Sequence, residues 1–539
     1  MNETFDYDFI IIGSGFGGSV SALRLSEKGY RVAVLESGRR WKPADFPRSN
    51  WSLRRWLWRP GLGLRGFFNI RFFRHVMALH GQAVGGGSIT YANTLLVPPD
   101  EVWAQGSWAG LEDWTGVMPA HYRTAQHMLG VTTNQRLDAA DQRLREMAEA
   151  AGVGESFRPT EVGVYFGMPG DAPGTRHPDP YFDGAGPPRS ACNGCGGCMV
   201  GCRFGAKNTL DLNYLHLAER RGARIEAETR VVELTSEGSA DGADGYRVTA
   251  VHRGRRQVLR ARGVVVAAGS LGTQDLLLRM RAAGRLPRLS ARLGHNVRTN
   301  AESLIGVRYP GSKVDLSRGI AIGSGIHLDG GKTHIEATRY PRGADAMGLL
   351  LTVMVRGGGR WRRVGAWLGT LAWNLLRHPL RTVRMLQPFG FARETIIFLC
   401  MQTLDATLRM RLARRWYWPL RKRLVTEGAK IPTCIPEANA FAEASARLTG
   451  GVAGTSISEI LFDTPMTAHC MGGAVMGAGP EQGVCDSRCR VFGYHNLYVC
   501  DGSMLSSNLG VNPSLTITAL AEHAMSHVPP NDPSRAVSA

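Results

Sequence analysis

The sequence predicts an α/β fold organised around a dinucleotide-binding unit, and three observations carry that prediction. The first 36 residues run strand, glycine-rich turn, helix, strand, acid. Further glycine runs follow strand-like segments far downstream, at residues 84–88 and 269–272. The chain has 539 residues, several times a typical domain of ~150 residues, so two or more interleaved units are expected.

Residues 7–12 are short, apolar and β-branched, and residues 19–28 repeat their apolar positions with a helical period. Between them stands Gly13-Ser14-Gly15-Phe16-Gly17-Gly18. Gly13 permits a tight turn, Gly15 lets the backbone approach a pyrophosphate at the helix N-terminus, and Gly18 allows close helix packing. A second apolar run, residues 31–35, ends at Glu36, which is placed to accept hydrogen bonds from a ribose diol. The competing reading is a tight turn with no ligand, and the pattern does not separate FAD from NAD.

Val84-Gly85-Gly86-Gly87-Ser88 exposes successive backbone N–H groups, which suit a second phosphate contact or a flexible loop. Residues 263–268 read as a buried strand ending in Gly269-Ser270-Leu271-Gly272-Thr273, with a helix expected from Gln274. Residues 496–500 read as a strand, followed by Asp501-Gly502-Ser503 and by Asn512-Pro513-Ser514 before an apolar helix at 515–525. Asn512 fits a helix cap. The same position also fits a flavin edge, toward which helix N-terminal dipoles would point.

The charge balance, 64 basic against 45 acidic residues for a net +19, favours acidic partners, either nucleic acid or anionic lipid. With 43% apolar and 20% charged residues the composition excludes disordered and fibrous classes. The acidic start at residues 1–8 lacks a basic leader, so no signal peptide is expected and a cytoplasmic protein is. Apolar stretches at 346–355 and 396–401 are well short of the ~20 residues that span a bilayer.

The motifs taken together resemble the glucose-methanol-choline (GMC) family of FAD oxidoreductases, and within it the cholesterol oxidase type. The likeness runs from residue 7 to 521 and is carried by Gly13-x-Gly15-x-x-Gly18 with Glu36, Val84-Gly-Gly-Gly-Ser88, Ala267-Ala268-Gly269, His469-x-x-Gly472-Gly473, Asp501-Gly502 and Val511-Asn512-Pro513. It implies a Rossmann-like FAD-binding domain assembled from residues 1–45, 81–99, 186–304 and 461–530. An inserted α+β substrate-binding domain would comprise 46–80, 100–185 and 305–460, and 531–539 would form a flexible tail. The implied non-covalent FAD contacts are Gly13, Ser14, Gly15, Phe16, Gly17, Gly18, Glu36, Gly85, Gly86, Gly87, Ser88, Val231, Ala268, Gly269, Asp501, Gly502 and Asn512.

By the same resemblance His469 takes the place of the active-site histidine, although Cys470-Met471 departs from the family's commoner His-Pro-Leu-Gly-Gly. A histidine suits the work, because holding or removing a hydroxyl proton while hydride leaves the carbinol carbon needs a group that titrates near neutrality. Asn512 would orient the substrate and stabilise the reduced flavin. Glu336, in His334-Ile335-Glu336-Ala337, looks like the base that moves a 5-ene double bond to 4-ene; its alternative is a surface strand glutamate. The implied substrate is a 3β-hydroxysteroid or another hydrophobic alcohol, with dioxygen or an electron carrier taking the electrons. Residues 51–73 and 347–354 are candidate linings of a large pocket.

Two features admit rival readings. Cys192-x-x-Cys195-x-x-Cys198-x-x-x-Cys202 has the spacing of a ferredoxin cluster segment. Against a cluster stand the lack of a second such run and Arg203 where Pro is usual. The expectation is therefore no metal, with an iron-sulfur cluster as the alternative. Residues 360–423 interleave Trp361, Trp367, Trp373, Trp416 and Trp418 with arginines, and Val364, Trp367, Leu368, Leu371 and Leu375 recur at helical spacing. This predicts either a core-facing helix or one lying on an anionic membrane. Nucleic-acid binding is the reading from a different class and is not expected, since no recognised module appears.

Overall fold

The computed structural model describes residues 5–415 and 418–531; residues 1–4, Trp416, Tyr417 and residues 532–539, nearly all of the expected tail, lie outside the described residues. The first sheet is mixed. Arg224–Glu226, Val32–Leu35, Tyr7–Ile12 and the end of Arg255–Val266 run parallel, and Tyr246–His252 and Thr229–Ser236 add antiparallel strands. Continuous apolar runs are what a sheet buried on both faces requires, and Ile10, Ile11, Ala33, Val34, Val264 and Val265 are fully buried. Leu497–Val499 joins this sheet from the other end of the chain, parallel to Arg255–Val266.

The opening helix, Phe16–Glu27, begins at the glycine turn and ends before Gly29, whose φ of +83° an L side chain would resist. The helix expected from Gln274 in fact starts at Gly269 and runs to Ala282. The five residues Gly269–Thr273 thus form its first turns rather than a loop, with the Thr273 hydroxyl accepting from Ala268 N at 3.2 Å.

The second sheet is antiparallel throughout, in the order Leu351–Val353, Val452–Ser456, Ser303–Arg308, Thr395–Gln402, Thr333–Thr338, Ile322–Leu328, Arg158–Pro159. One face packs on helices, with Ile335, Ala337 and Phe398 in that core. The side chains of His334, Glu336 and Thr338 alternate onto the other face. A small sheet of Phe68–Phe72, Met77–Gly81 and Met466–Thr467 bridges the two.

The basic segment meets the core-facing expectation only in part. In the helix Arg360–Arg377 the one fully buried residue is Arg363, paired with Asp463 at 3.1 Å, whereas Trp361 is 77% and Leu376 80% exposed. Trp373, Leu368 and Leu375 are exposed too, while Val364, Trp367 and Leu371 are half-buried. The next helix, Pro379–Leu386, exposes Leu380 and Val383. Trp418 belongs to a strand, Trp418–Glu427, that pairs with Arg409–Arg415. No helix among the described residues is long and apolar enough to cross a membrane.

Candidate active site

A cavity of about 1330 Å³ runs between the two sheets and is lined by most of the expected cofactor and catalytic residues, but not by Gly18, Gly85, Ser88 or Glu336. At its nucleotide end the glycines divide by what surrounds them. A Cβ on Gly13 would meet Ala267 O at 2.3 Å, on Gly17 Cys500 O at 1.8 Å, and on Gly18 Gly13 O at 2.1 Å, so these three hold helix and strands together. A Cβ on Gly15 or Gly269 would meet nothing, leaving room where a phosphate must approach. Gly86 lies against Gly15, and Gly85 N donates to the Ser14 hydroxyl at 3.1 Å, so the two glycine loops form one cradle. The Ser88 hydroxyl ties the second loop down by donating to Gly85 O at 2.6 Å and accepting from Leu210 N at 3.0 Å.

Glu36 is buried and oriented: one carboxylate oxygen accepts from Ser14 N and Oγ, at 3.1 and 2.7 Å, and the other from Gly38 N at 2.7 Å. Val231, Ala268, Asp501 and Gly502 line the same cavity. Burial raises the Asp501 carboxyl, which accepts from Ser503 N at 2.8 Å and from the Thr273 hydroxyl at 2.5 Å. Open Cβ positions, a helix N-terminus, an acid at the second strand's end and the orphaned, buried Asn512 Oδ1 fit FAD.

At the other end His469 follows the strand Met466–Thr467, its N–H donating to the Thr467 hydroxyl at 2.9 Å. Its Nδ1 pairs with the Glu302 carboxylate, whose second oxygen accepts from Ala468 N at 2.9 Å. Burial is the largest single influence and lowers the His469 pKa, but the charge and hydrogen bond of Glu302 together with the charge of Glu336 outweigh it, and the net shift is upward. The Cys470-Met471 departure leaves the turn intact. Met471 exchanges backbone hydrogen bonds with Arg298, at 2.8 and 3.0 Å, and Gly472, at φ +71°, sits where a Cβ would strike Asn296 O at 1.9 Å.

Asn512 does not cap the helix Ser514–Ser526, whose cap position is Pro513. Instead its Nδ2 donates to Glu336 Oε2 at 3.3 Å. Glu336 is fully buried rather than on the surface, two residues along the strand from Thr338, which lines the cavity. It lies behind Asn512. His334 Nε2 is 3.3 Å from its other oxygen.

Glu302, the partner of His469, was not foreseen. Only an acid directly before the apolar strand Ser303–Arg308 marks it, and 167 residues separate it from the histidine it holds. Of the expected pocket segments, Trp58, Leu62, Phe68, Arg71 and Met347 reach the cavity, while Trp51 instead stacks on Phe389 with ring centroids 6.3 Å apart.

Cys192, Cys195, Cys198 and Cys202 do come together, around a separate cavity of about 20 Å³. Burial, helped by Cys198, pushes the Cys192 thiol up to about 12 and Cys195 up to about 11. Among the described residues no three His, Cys, Asp or Glu side chains are placed to hold a metal ion, so the cluster alternative gains no support.

Residues 188–300 and 438–521 match the GMC oxidoreductase family, and residues 11–41 match an NAD(P)-binding Rossmann-like domain. A cholesterol oxidase of Acinetobacter baumannii is 56% identical over 98% of this chain and 95% of its own length. A cholesterol oxidase of Mycobacterium tuberculosis is 47% identical over 97% of this chain and 91% of its own. The crystal structure of a pyridoxine 4-oxidase from Mesorbium loti superimposes with a TM-score of 0.61 over 97% of this chain and 99% of that one; at 16% identity this likeness concerns the fold.

Proposed function

Because the chain belongs to the GMC oxidoreductase family and is an FAD-dependent oxidoreductase, we propose that it oxidises a cholesterol-like 3β-hydroxysteroid to the 3-ketone. One observation carries this reading: His469 with Glu302, and Asn512 backed by Glu336, stand at one end of a single cavity whose other end is the nucleotide cradle. Apolar side chains between them, among them Phe68, Met347, Ile322, Leu304 and Leu399, suit a rigid hydrocarbon skeleton. The relatives named cholesterol oxidase support the choice of sterol.

Bound FAD, held without a covalent bond, supplies the acceptor for the hydride leaving C3. The chain's own residues manage the proton. With Nδ1 fixed on Glu302, neutral His469 keeps its proton there and offers Nε2 to the substrate hydroxyl. Asn512 directs its amide at the same end of the cavity and leaves its Oδ1 free for a donor. In the second half-reaction Glu336 removes the C4 proton of the 5-en-3-one, a dienolate spreads from O3 to C6, and the acid returns a proton to C6. The double bond then lies between C4 and C5.

In this reading the FAD domain comprises 1–45, 81–99, 186–304 and 461–530 and the substrate domain 46–80, 100–185 and 305–460; the two separate large sheets support that division, except that the strand Ser303–Arg308 of the second sheet begins two residues before the boundary at 304/305. Dioxygen takes the electrons and leaves as hydrogen peroxide. The exposed Trp361, Leu376 and Leu380, set among arginines, rest on an anionic membrane from which the sterol is taken.

The test is to mix the purified protein with cholesterol without oxygen, follow the flavin absorption, and then admit air. Bleaching that air reverses, with peroxide formed, is expected. Bleaching that air leaves unchanged would replace dioxygen by an electron carrier. A flavin band that cholesterol never bleaches would remove the sterol from the proposal.

A further inference from the structure

Behind Glu336 a line of side chains leads away from the cavity to the protein's outer face. His334 Nε2 is 3.3 Å from Glu336 Oε1, and His334 Nδ1 is 3.1 Å from His327 Nε2. His334 is buried at 5% exposure, whereas His327 is exposed. The register explains the line. His327 lies opposite His334 across the antiparallel pair Ile322–Leu328 and Thr333–Thr338, so their rings share one face, with centroids 4.5 Å apart. Glu336 is two residues further along that face. Each side chain except the last is sealed from water, and each gap is near hydrogen-bonding distance.

We propose that His334 and His327 form a proton path between the Glu336 carboxyl and solvent, so that the proton Glu336 carries during isomerisation exchanges with water. The inference rests on the reading of Glu336 as the proton carrier and adds to it a route that isomerisation alone does not need. Neutral imidazoles are required, each with one protonated and one free nitrogen. Desolvation of the inward part of its ring first, then His334 and Arg158, against an opposing pull from Glu336, holds His327 down at about 4, which keeps it neutral. The charged or titratable neighbours of this line are Arg158 at its outer end, with Cys400 and His469 near Glu336.

The transfer balances without a redox partner. Protonated Glu336 gives its proton to His334 Nε2, His334 releases its Nδ1 proton to His327 Nε2, and His327 releases its own Nδ1 proton to water. The return pass takes a solvent proton at His327 Nδ1, moves one from His327 Nε2 to His334 Nδ1, and delivers one from His334 Nε2 to Glu336. Both imidazoles end in their starting tautomers and the carboxyl holds a solvent proton.

The experiment feeds the holoenzyme a steroid 5-en-3-one in D2O and measures deuterium at C6 of the first 4-en-3-one formed; enzyme incubated with finished product controls for later exchange. The native protein should place solvent deuterium at C6. His327→Phe, at an exposed position, and His334→Leu should go on isomerising but lose most of that deuterium, the proton from C4 being returned instead. A packing role alone would alter the rate without altering the label. Native product free of C6 deuterium, or variants that incorporate as much as native, overturns the path. Isomerisation that survives Glu336→Gln, or native enzyme that forms no 4-en-3-one, overturns the reading of Glu336 itself.

Discussion

The pairing of His469 with Glu302 sets the direction of a pH effect. Glu302 stabilises the protonated imidazole, so His469 is raised, and the neutral form that accepts a hydroxyl proton is populated only above that raised pKa. Glu302→Gln removes the charge and leaves burial, which lowers the pKa. The acidic limb of kcat/KM should therefore move to lower pH while kcat falls, because the imidazole loses its orienting partner. A limb that stays in place would remove Glu302 from this role. His469→Ala and Asn512→Ala should each bind FAD yet reduce flavin at least ~100-fold more slowly, as measured by stopped-flow absorbance. Glu336→Gln should accumulate the 5-en-3-one, checked by chromatography of the products. That His469 and Asn512 stand on one cavity was legible because motifs flank them. Glu302 and the His327–His334 pair were not, since each acquires meaning only from a partner that strand pairing brings beside it.

At the level of elements, the first strand was read to its limits because continuous β-branched residues have one stable place, inside a parallel sheet. The Gly269–Ala282 helix was misjudged at its start because glycine is a poor guide where N–H groups are to face a ligand. The Arg360–Arg377 helix had two opposite readings with the same periodicity, since period alone does not say which stripe is buried. Arg363 decided it. The Arg363 guanidinium also donates to the Thr433 hydroxyl at 2.6 Å, so with Asp463 it clamps the helix beside the half-buried Val364, Trp367 and Leu371 and leaves Trp361 and Trp373 facing outward. Binding to vesicles containing anionic lipid should weaken as salt rises from ~0.1 to ~1 M, because the screening length falls about threefold. Replacing Trp361, Leu376 and Leu380 together by Ser should lower turnover of bilayer-held sterol and spare detergent-solubilised sterol. Equal losses on both substrates would remove the helix from membrane contact.

Across the whole molecule, the glycine spacing made the nucleotide end of the cavity legible, while the substrate end depends on side chains from segments far apart in sequence. In the proposed reading FAD is held by both glycine loops and the Asp501 turn together, so it should act as a folding ligand. Free FAD at about 1,000 times its Kd adds about 4 kcal/mol to unfolding, visible as a rise in Tm of the apoprotein, and acid precipitation of the holoprotein should leave the flavin in the supernatant. The strand Leu497–Val499 has a further consequence. It completes the sheet begun by Tyr7–Ile12, its neighbour Cys500 closes against Gly17, and Arg24 in the first helix pairs with Glu522 at 2.7 Å. During synthesis the N-terminal glycine loop therefore leaves the ribosome hundreds of residues before the strand that packs on it. A nascent chain stalled before residue 497 has no finished cradle, so flavin loading should follow synthesis of that strand, and C-terminal truncation should yield a colourless protein rather than a slow yellow one.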